Sequence, residues 1–353
     1  MKILVIQQKM IGDVLTSSVL FEALREHYPN AQLDYLINLH TMPVVENNPF
    51  IDNYILLKPE IEKRISALWD FTKSIKKRQY DIVIDVYSKL SSNIIAAFSG
   101  AKTKISYHKH YTAFLYTYNI KRVSKTNQTC GLAIVNRLQL LEPLGINLTS
   151  AKPKIYLTDQ ELEASKQVLI SNNINIEKPL IMISVLGSGA YKTYPYNYMA
   201  QVIDQIVTTT DGQILFNYIP KQKADAQAIF DLCKPETQDH IYMGLFGKSI
   251  REFLALTAHC TALIGNEGGA VNMAKALNIK TFTIFSTWID KDTWNIFEEK
   301  NVNESVHLKD YKPKLYQDKT EKEMKPQALE SYKEFTPDLF EKKLEHFLKT
   351  LNK

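Results

Sequence analysis

Gly265-Asn266-Glu267-Gly268-Gly269-Ala270-Val271-Asn272-Met273-Ala274-Lys275-Ala276-Leu277 is the stretch whose reading decides the fold. An apolar run, Thr261-Ala262-Leu263-Ile264, leads into it, and a helix-forming run, Met273 to Leu277, leads out. Thr281-Phe282-Thr283-Ile284-Phe285 then reads as the next buried strand. A glycine turn between strand and helix lets a ligand approach the backbone and points free N–H groups at it, which suits a diphosphate. Glu267 adds a carboxylate able to bind sugar hydroxyls. Taken alone, the segment fits equally a plain strand–turn–helix connection whose glycines serve packing.

Working outward, the same alternation fills the chain. In the first half, strands are expected at 2–6, 32–37, 54–57 and 81–87, and helices at 14–28, 67–78 and 131–144. Residues 108–128, basic and tyrosine-rich without clear periodicity, read as loops and short pieces. A capped helix at 162–171 follows a linker near 151–153. A second series then runs through strand 180–185, helix 198–208, strand 213–217, helix 224–232, strand 241–243 and helix 250–259. Such βα repetition implies an α/β protein of two doubly wound parallel sheets, with a cleft facing the C-terminal ends of both. The expected domains are 1–152 and 153–325, followed by a C-terminal helix at 326–353 that packs back across them.

Composition narrows the class. A chain of 353 residues with 45% hydrophobic and 10% aromatic content is globular, with full cores. No apolar run approaches the length of a membrane-spanning helix. The start, Met1-Lys2-Ile3-Leu4-Val5-Ile6-Gln7-Gln8, turns polar after four apolar residues and reads as a first strand rather than a signal peptide. Cys130, Cys233 and Cys260 are widely spaced and read as buried thiols of a reducing cytoplasm. Charge is unevenly spread: Lys58 to Lys125 holds fourteen Lys/Arg against five Asp/Glu, while the whole chain is only +5. Such an excess suits an anionic lipid or phosphorylated glycan, and equally a solvated face without a partner. Nucleic acid is not expected, because no helix-turn-helix, RNA-binding or finger signature is present.

Two further turns carry chemistry. After the first strand comes Gln7-Gln8-Lys9-Met10-Ile11-Gly12-Asp13-Val14-Leu15-Thr16, whose single glycine excludes a dinucleotide fingerprint and a P-loop. Asp13 stands there at the start of a helix, either as an ordinary cap or as a general base. Opening the second half, Ser184-Val185-Leu186-Gly187-Ser188-Gly189-Ala190-Tyr191-Lys192-Thr193-Tyr194-Pro195 offers glycines, hydroxyls and a lysine. It reads either as a phosphate-binding loop or as a glycine-rich turn with a surface lysine. The histidines form no pair at metal-ligand spacing apart from His108/His110, which extend the basic surface. Asp290-Lys291-Asp292 spells an acid-x-acid triplet beside Trp288 and Trp294, after the last core strand, and no metal is expected there.

Together these segments resemble glycosyltransferase family 9, the lipopolysaccharide heptosyltransferases. Met1-Lys2-Ile3-Leu4-Val5-Ile6 with Ile11-Gly12-Asp13-Val14-Leu15 is similar to the family's first strand and its Gly-Asp-Val turn. Asn47-Asn48-Pro49-Phe50-Ile51-Asp52 resembles its Asn-Pro-hydrophobic-Asp element. The loop at 187–195 resembles the second-domain loop, with Lys192 in the lysine position and Tyr194-Pro195 for Trp-Pro. Lys248, Ser249 and Glu252 follow the Gly-Lys-Thr/Ser-x-x-Glu-Leu pattern, and the opening stretch resembles Gly-Asn-Asp-Ser/Thr-Gly-x-x-His-Leu-Ala-x-Ala-Leu.

The resemblance implies a GT-B architecture of two Rossmann-like domains, the acceptor on the first and the nucleotide sugar on the second. It implies an inverting, metal-independent transfer without a cofactor, typically of heptose from ADP-heptose to an anionic glycolipid such as a lipopolysaccharide core. The enzyme is then expected in the cytoplasm, with peripheral contact on the inner face of the inner membrane. Asp13 takes the family's base position and Lys192 meets the leaving group. Gly187, Ser188, Gly189, Lys192, Asn266, Glu267, Gly268, Gly269 and Asn272 form the donor site. Lys63, Arg64, Lys104, Lys109, Lys121 and Arg122 are expected to face the acceptor. Three positions depart from the pattern: Glu267 replaces Asp, Gly268 replaces Ser/Thr and Asn272 replaces His. Lys221 and Gln222 stand where the family often has an acidic residue near the nucleoside, which opens the donor to other nucleotide sugars. A nucleotide-sugar epimerase, or a non-catalytic glycan- or nucleotide-binding protein on the same fold, are the alternatives.

Overall fold

Ile3 to Ile6 are fully buried, so the run Lys2–Ile6 (β1) has both faces covered, as an inner parallel strand demands. Gln32–Asn38 (β2), Asn53–Leu57 (β3), Ile82–Asp85 (β4), Thr103–Tyr107 (β5) and Tyr118–Ile120 (β6) complete a sheet in the order β3-β2-β1-β4-β5-β6. Every pairing is parallel, and Ile6 lies level with Leu36 on one side and Asp85 on the other. The order reverses between β1 and β4, where open α/β sheets bind ligands beyond their C-terminal strand ends.

Leu180–Ser184 (β7), Gln213–Phe216 (β8), Ala262–Asn266 (β9), Lys280–Ile284 (β10) and Asn303–Val306 (β11) build a second parallel sheet, ordered β11-β10-β9-β7-β8. A parallel bridge from Ile214 to Ile241 continues it beyond β8. The second sheet thus repeats the strand order of the first, with one strand reduced to a bridge, and reverses between β7 and β9. This computed structural model describes residues 1–351, and the chain divides into two units, Met1–Tyr156 and Leu157–Lys353, with one sheet each. Both are Rossmann-like, as expected.

Four local expectations are corrected. The helix expected at 14–28 is two helices, Ile11–Ser17 and Val19–His27. The Ser18 hydroxyl donates to the Leu15 carbonyl and Thr16 to Gly12, and such back-bonding bends helices. The helix at 131–144 stops at Leu138 and tightens to a 3₁₀ segment, Gln139–Leu144, around Pro143, which has no N–H to continue an α-helix. The strand at 241–243 is only the Ile241 bridge. The segment 108–128 conceals the edge strand β6.

The core of the second unit gathers Tyr194, Phe282, Phe335, Phe340 and Phe347 beside β7 and β10. The terminal helix Glu341–Lys349 buries Leu344, Phe347 and Leu348 there and packs on the helix Tyr196–Thr210. Each such side chain contributes roughly 1.5–3 kcal/mol. Residues 352 and 353 of the expected C-terminal helix lie outside the described residues.

Candidate active site

In the second unit the site grows from the junction of β7 and β9. Gly265 has φ +128°, and a Cβ there would sit 2.6 Å from the Ser184 carbonyl oxygen, so only glycine lets these strands come this close. Asn266 follows, fully buried. Its Nδ2 donates to the carbonyls of Ser184 (2.9 Å) and Val185 (3.0 Å), and its Oδ1 accepts from the Tyr194 N–H at 2.7 Å. Its hydrogen bonds are therefore spent on the protein's own loop, so Asn266, expected among the donor residues, holds that loop in place.

The loop so held folds back on itself. A Cβ on Gly187 would stand 2.1 Å from the Lys192 carbonyl oxygen, and Thr193 Oγ1 bridges the Gly187 N–H and the Gly189 carbonyl. Ser188 and Gly189 are exposed at its tip. Lys192 reaches inward, with Nζ 3.0 Å from Glu267 Oε1 and 5.6 Å from the centre of the Trp288 ring. The contact with Glu267 is an ion pair without hydrogen-bond alignment, leaving that buried carboxylate oxygen unsatisfied. Trp288 and Ser286 both donate to the Tyr191 carbonyl, at 3.0 and 2.6 Å, fixing the wall behind the lysine.

Gly268, at φ +150°, then turns the chain into the helix Gly269–Ala276, which has no side-chain cap. A Cβ on Gly268 would meet nothing within 4 Å, so the space beside this turn is open. Lys192, Glu267, Gly268 and Gly269 are thus brought together, with Asn272 half-buried one turn further on. A cation and uncapped amides around an open space is an arrangement that binds phosphate.

In the first unit, Asp13 lies beyond β1 as the third residue of the helix Ile11–Ser17, not as its cap. Its Oδ1 accepts from Arg137 Nη2 at 2.7 Å, while Oδ2 receives only a long contact, 3.4 Å, from the Met10 N–H. Arg137, buried on the helix Leu132–Leu138, also donates to Ser17 Oγ (2.8 Å) and the Ala133 carbonyl (2.7 Å). One carboxylate oxygen is held by a buried cation, and the other carries only the long Met10 contact. Sequence reasoning missed Arg137, which carries no local signal.

Nearby, at the end of β4, Asp85 is fully buried. It accepts from Tyr116 Oη (2.6 Å) and the Ser88 N–H (2.8 Å), and burial pushes its carboxyl up to about 6. Of the expected acceptor residues, Lys109 donates to the Ser88 carbonyl, and burial, with Lys89 and Arg122 close by, lowers its pKa. The Arg122 guanidinium lies 3.8 Å over the Tyr107 ring. Lys63, Arg64 and Lys121 are exposed beyond β3 and β6. Lys104 belongs to the body of β5, level with Val83, and not to the strand-end side. The Asp290-x-Asp292 triplet is a helix cap, in which Asp290 accepts from the Asp292 N–H and the Thr293 hydroxyl.

Comparison with known proteins adds four likenesses. Residues 68–324 match the family model of glycosyltransferase family 9 (heptosyltransferase). A lipopolysaccharide heptosyltransferase 3 from Escherichia coli is 21% identical over 286 residues, covering 78% of this chain and 80% of its relative. Among solved structures, a family 9 glycosyl transferase from Veillonella parvula DSM 2008 superposes with TM-score 0.75 at 18% identity, over 94% of this chain and 96% of the other. The E. coli ADP-heptose lipopolysaccharide heptosyltransferase II gives TM-score 0.71 at 18% identity, over 99% and 98%. These two structures share the two-domain GT-B fold.

Proposed function

Because the chain belongs to glycosyltransferase family 9, we propose that it transfers a sugar from a nucleoside diphosphate donor, of ADP-heptose type, to an anionic lipopolysaccharide-core glycan. The observation that carries this reading is Lys192, fixed 3.0 Å from Glu267 beside the open, uncapped turn at Gly268. A leaving diphosphate gathers charge as the glycosidic bond breaks, and a preorganised ammonium with first-turn amides stabilises it. That supply of positive charge supports a transfer needing no metal or cofactor.

Asp13 is the proposed base. Its Oδ2 takes the proton of an acceptor hydroxyl while Arg137 holds the carboxylate through Oδ1. The hydroxyl oxygen attacks the anomeric carbon opposite the diphosphate, the bond to the diphosphate breaks, and the configuration inverts. Lys63, Arg64, Lys109, Lys121 and Arg122 favour an anionic acceptor, and a lipid-linked one places the enzyme at the cytoplasmic face of a membrane. No helix among the described residues is long and apolar enough to cross one.

A second reading, a different nucleotide sugar, is favoured by Gln222. It spends its amide on the Gly187 carbonyl (3.1 Å) and the Ile219 N–H (3.2 Å), where an acidic residue would otherwise face a nucleoside. Thermal-shift titration with ADP-, GDP-, UDP- and dTDP-linked sugars tests both. One donor should raise the melting temperature of the wild type, and much less that of Lys192→Ala. Equal shifts in the two proteins would remove Lys192 from the donor site.

A further inference from the structure

The charge of Lys192 is already answered inside the protein. Its ammonium pairs with Glu267 at 3.0 Å, and that carboxylate side chain is only 10% exposed. The pair is therefore close to neutral toward an incoming ligand, yet the diphosphate of a nucleotide sugar brings a negative charge on each phosphate. The uncapped amides of the helix Gly269–Ala276 supply only the partial positive charge of a helix end. A second full cation would complete the balance.

The chain beyond β11 carries one. Met324-Lys325-Pro326 joins the short helix Glu321–Met324 to the 3₁₀ turn Lys325–Gln327. Met324 and Ala328 are buried, so the backbone between them is anchored while the Lys325 side chain is exposed. This segment is tied to the run 287–290 that follows β10. Tyr316 Oη donates to the Thr287 carbonyl (2.7 Å), Thr287 Oγ1 to the Ala328 carbonyl (3.2 Å) and the Asp290 N–H to Glu321 Oε1 (2.8 Å). Lys325 Nζ thereby stands 5.0 Å from the centre of the Trp288 ring, the same ring that Lys192 Nζ approaches to 5.6 Å. Of the acids beside it in sequence, Glu321 is engaged with Asp290, and Glu323 with the N–H and hydroxyl of Thr320. Lys325 makes no ion pair among the described residues.

We propose that Lys325 is the second cation of the donor site, turning from the Trp288 ring to a phosphate oxygen when a nucleoside diphosphate binds. A charge-assisted hydrogen bond to phosphate outweighs the contact of an ammonium with a half-buried ring, so the ring serves as its resting place. Lys192, matched by Glu267, and Lys325, unmatched, then divide the two phosphates between them. A monophosphate needs only one of these cations, so Lys325 selects for the diphosphate. It lies just past the family-matched region. Its role rests on the diphosphate donor proposed above.

The test is calorimetric titration of the full chain with ADP, GDP, UDP and dTDP, each beside its monophosphate, for the wild type, Lys325→Gln, Lys325→Arg and Lys192→Ala. The wild type should prefer one diphosphate to its monophosphate. Lys325→Gln should bind that diphosphate about tenfold more weakly while keeping its monophosphate affinity and its melting temperature. Lys325→Arg should restore the preference, because the phosphate reads the charge. Unchanged diphosphate affinity in Lys325→Gln, with affinity lost in Lys192→Ala, overturns the role of Lys325 and leaves the donor site standing. Equal losses of monophosphate and diphosphate in Lys325→Gln also overturn it, by tracing the effect to the nucleoside or the fold. A wild type that binds no nucleoside diphosphate removes the donor reading itself, and the role of Lys325 with it.

Discussion

Arg137 Nη2 meets Asp13 Oδ1 at 2.7 Å across 124 positions of sequence, and the same guanidinium binds Ser17 and the Ala133 carbonyl. The carboxylate is therefore oriented by a cation that two further hydrogen bonds hold in place. Asp13→Asn should lower kcat by about 10²–10⁴ while donor affinity stays unchanged, because only proton removal is lost. Arg137→Lys should also lose activity, since a single ammonium cannot reproduce the planar fork. Steady-state kinetics on both variants check this; an Arg137→Lys enzyme with wild-type kcat would mean that the pair is merely structural.

Gly187 and Gly189 sit two residues apart in one loop with opposite constraints. A Cβ at Gly187 would lie 2.1 Å from the Lys192 carbonyl oxygen, whereas at Gly189 it would meet nothing within 4 Å. Gly187→Ala should weaken donor binding and cost about 1–3 kcal/mol of stability, with Gly189→Ala near neutral in both. Urea denaturation and donor titration separate the two outcomes.

Lys192→Ala should reduce kcat/KM for the donor by about 10²–10³, the usual effect of removing one group that stabilises a developing anion. Lys192→Arg should recover part of the loss, because the charge returns near Glu267. Kinetics at varied donor concentration give the comparison.

The pH dependence of stability should differ between the two units. Burial raises the Asp85 carboxyl from 3.8 to about 6, so the folded first unit holds a proton that the unfolded chain releases. Its contribution is present below pH 3.8 and is lost as pH rises through about 6. The size is on the order of 3 kcal/mol at most. Asp85→Asn should therefore be more stable than the wild type at neutral pH, with the gap closing in acid. His307 in the second unit acts with the opposite sign. Burial lowers it from 6.5 to about 4, so its contribution is present above pH 6.5 and fades as pH falls through 4. Denaturation of each variant across this range reads both slopes.

Cys130, Cys233 and Cys260 are buried, and burial raises all three thiols, Cys233 to about 12. The native chain should resist a thiol reagent at mildly alkaline pH and react fully once unfolded, since the thiolate is the reactive form. Rapid labelling of the native protein would contradict this burial.

The strands were legible because inner parallel strands must be apolar on both faces, which gives continuous runs such as Lys2–Ile6 and Leu180–Ser184. β6 was hidden because an edge strand of three half-exposed residues, Tyr118–Ile120, shows no such pattern. In the candidate site, Lys192 and the turn at Gly268 were legible as local motifs. The inward role of Asn266 was not, since its partners at Ser184 and Tyr194 lie far away in sequence. Arg137 and Trp288 escaped for the same reason: each acts through tertiary contacts that composition and spacing do not encode. Lys104 was misplaced because a charge count does not distinguish a residue within a strand from one beyond its end.

Asp13 as the base and Lys192 as the cation that meets the leaving group are the two roles on which the proposed transfer depends. The most direct measurement is nucleoside diphosphate release from the stabilising nucleotide sugar, with and without an anionic lipopolysaccharide-core acceptor, for the wild type and Asp13→Asn. Release should require acceptor, yield a glycosylated product of inverted configuration, and be lost in Asp13→Asn although the donor still binds. Donor consumption without acceptor, or an Asp13→Asn enzyme as active as the wild type, would contradict it.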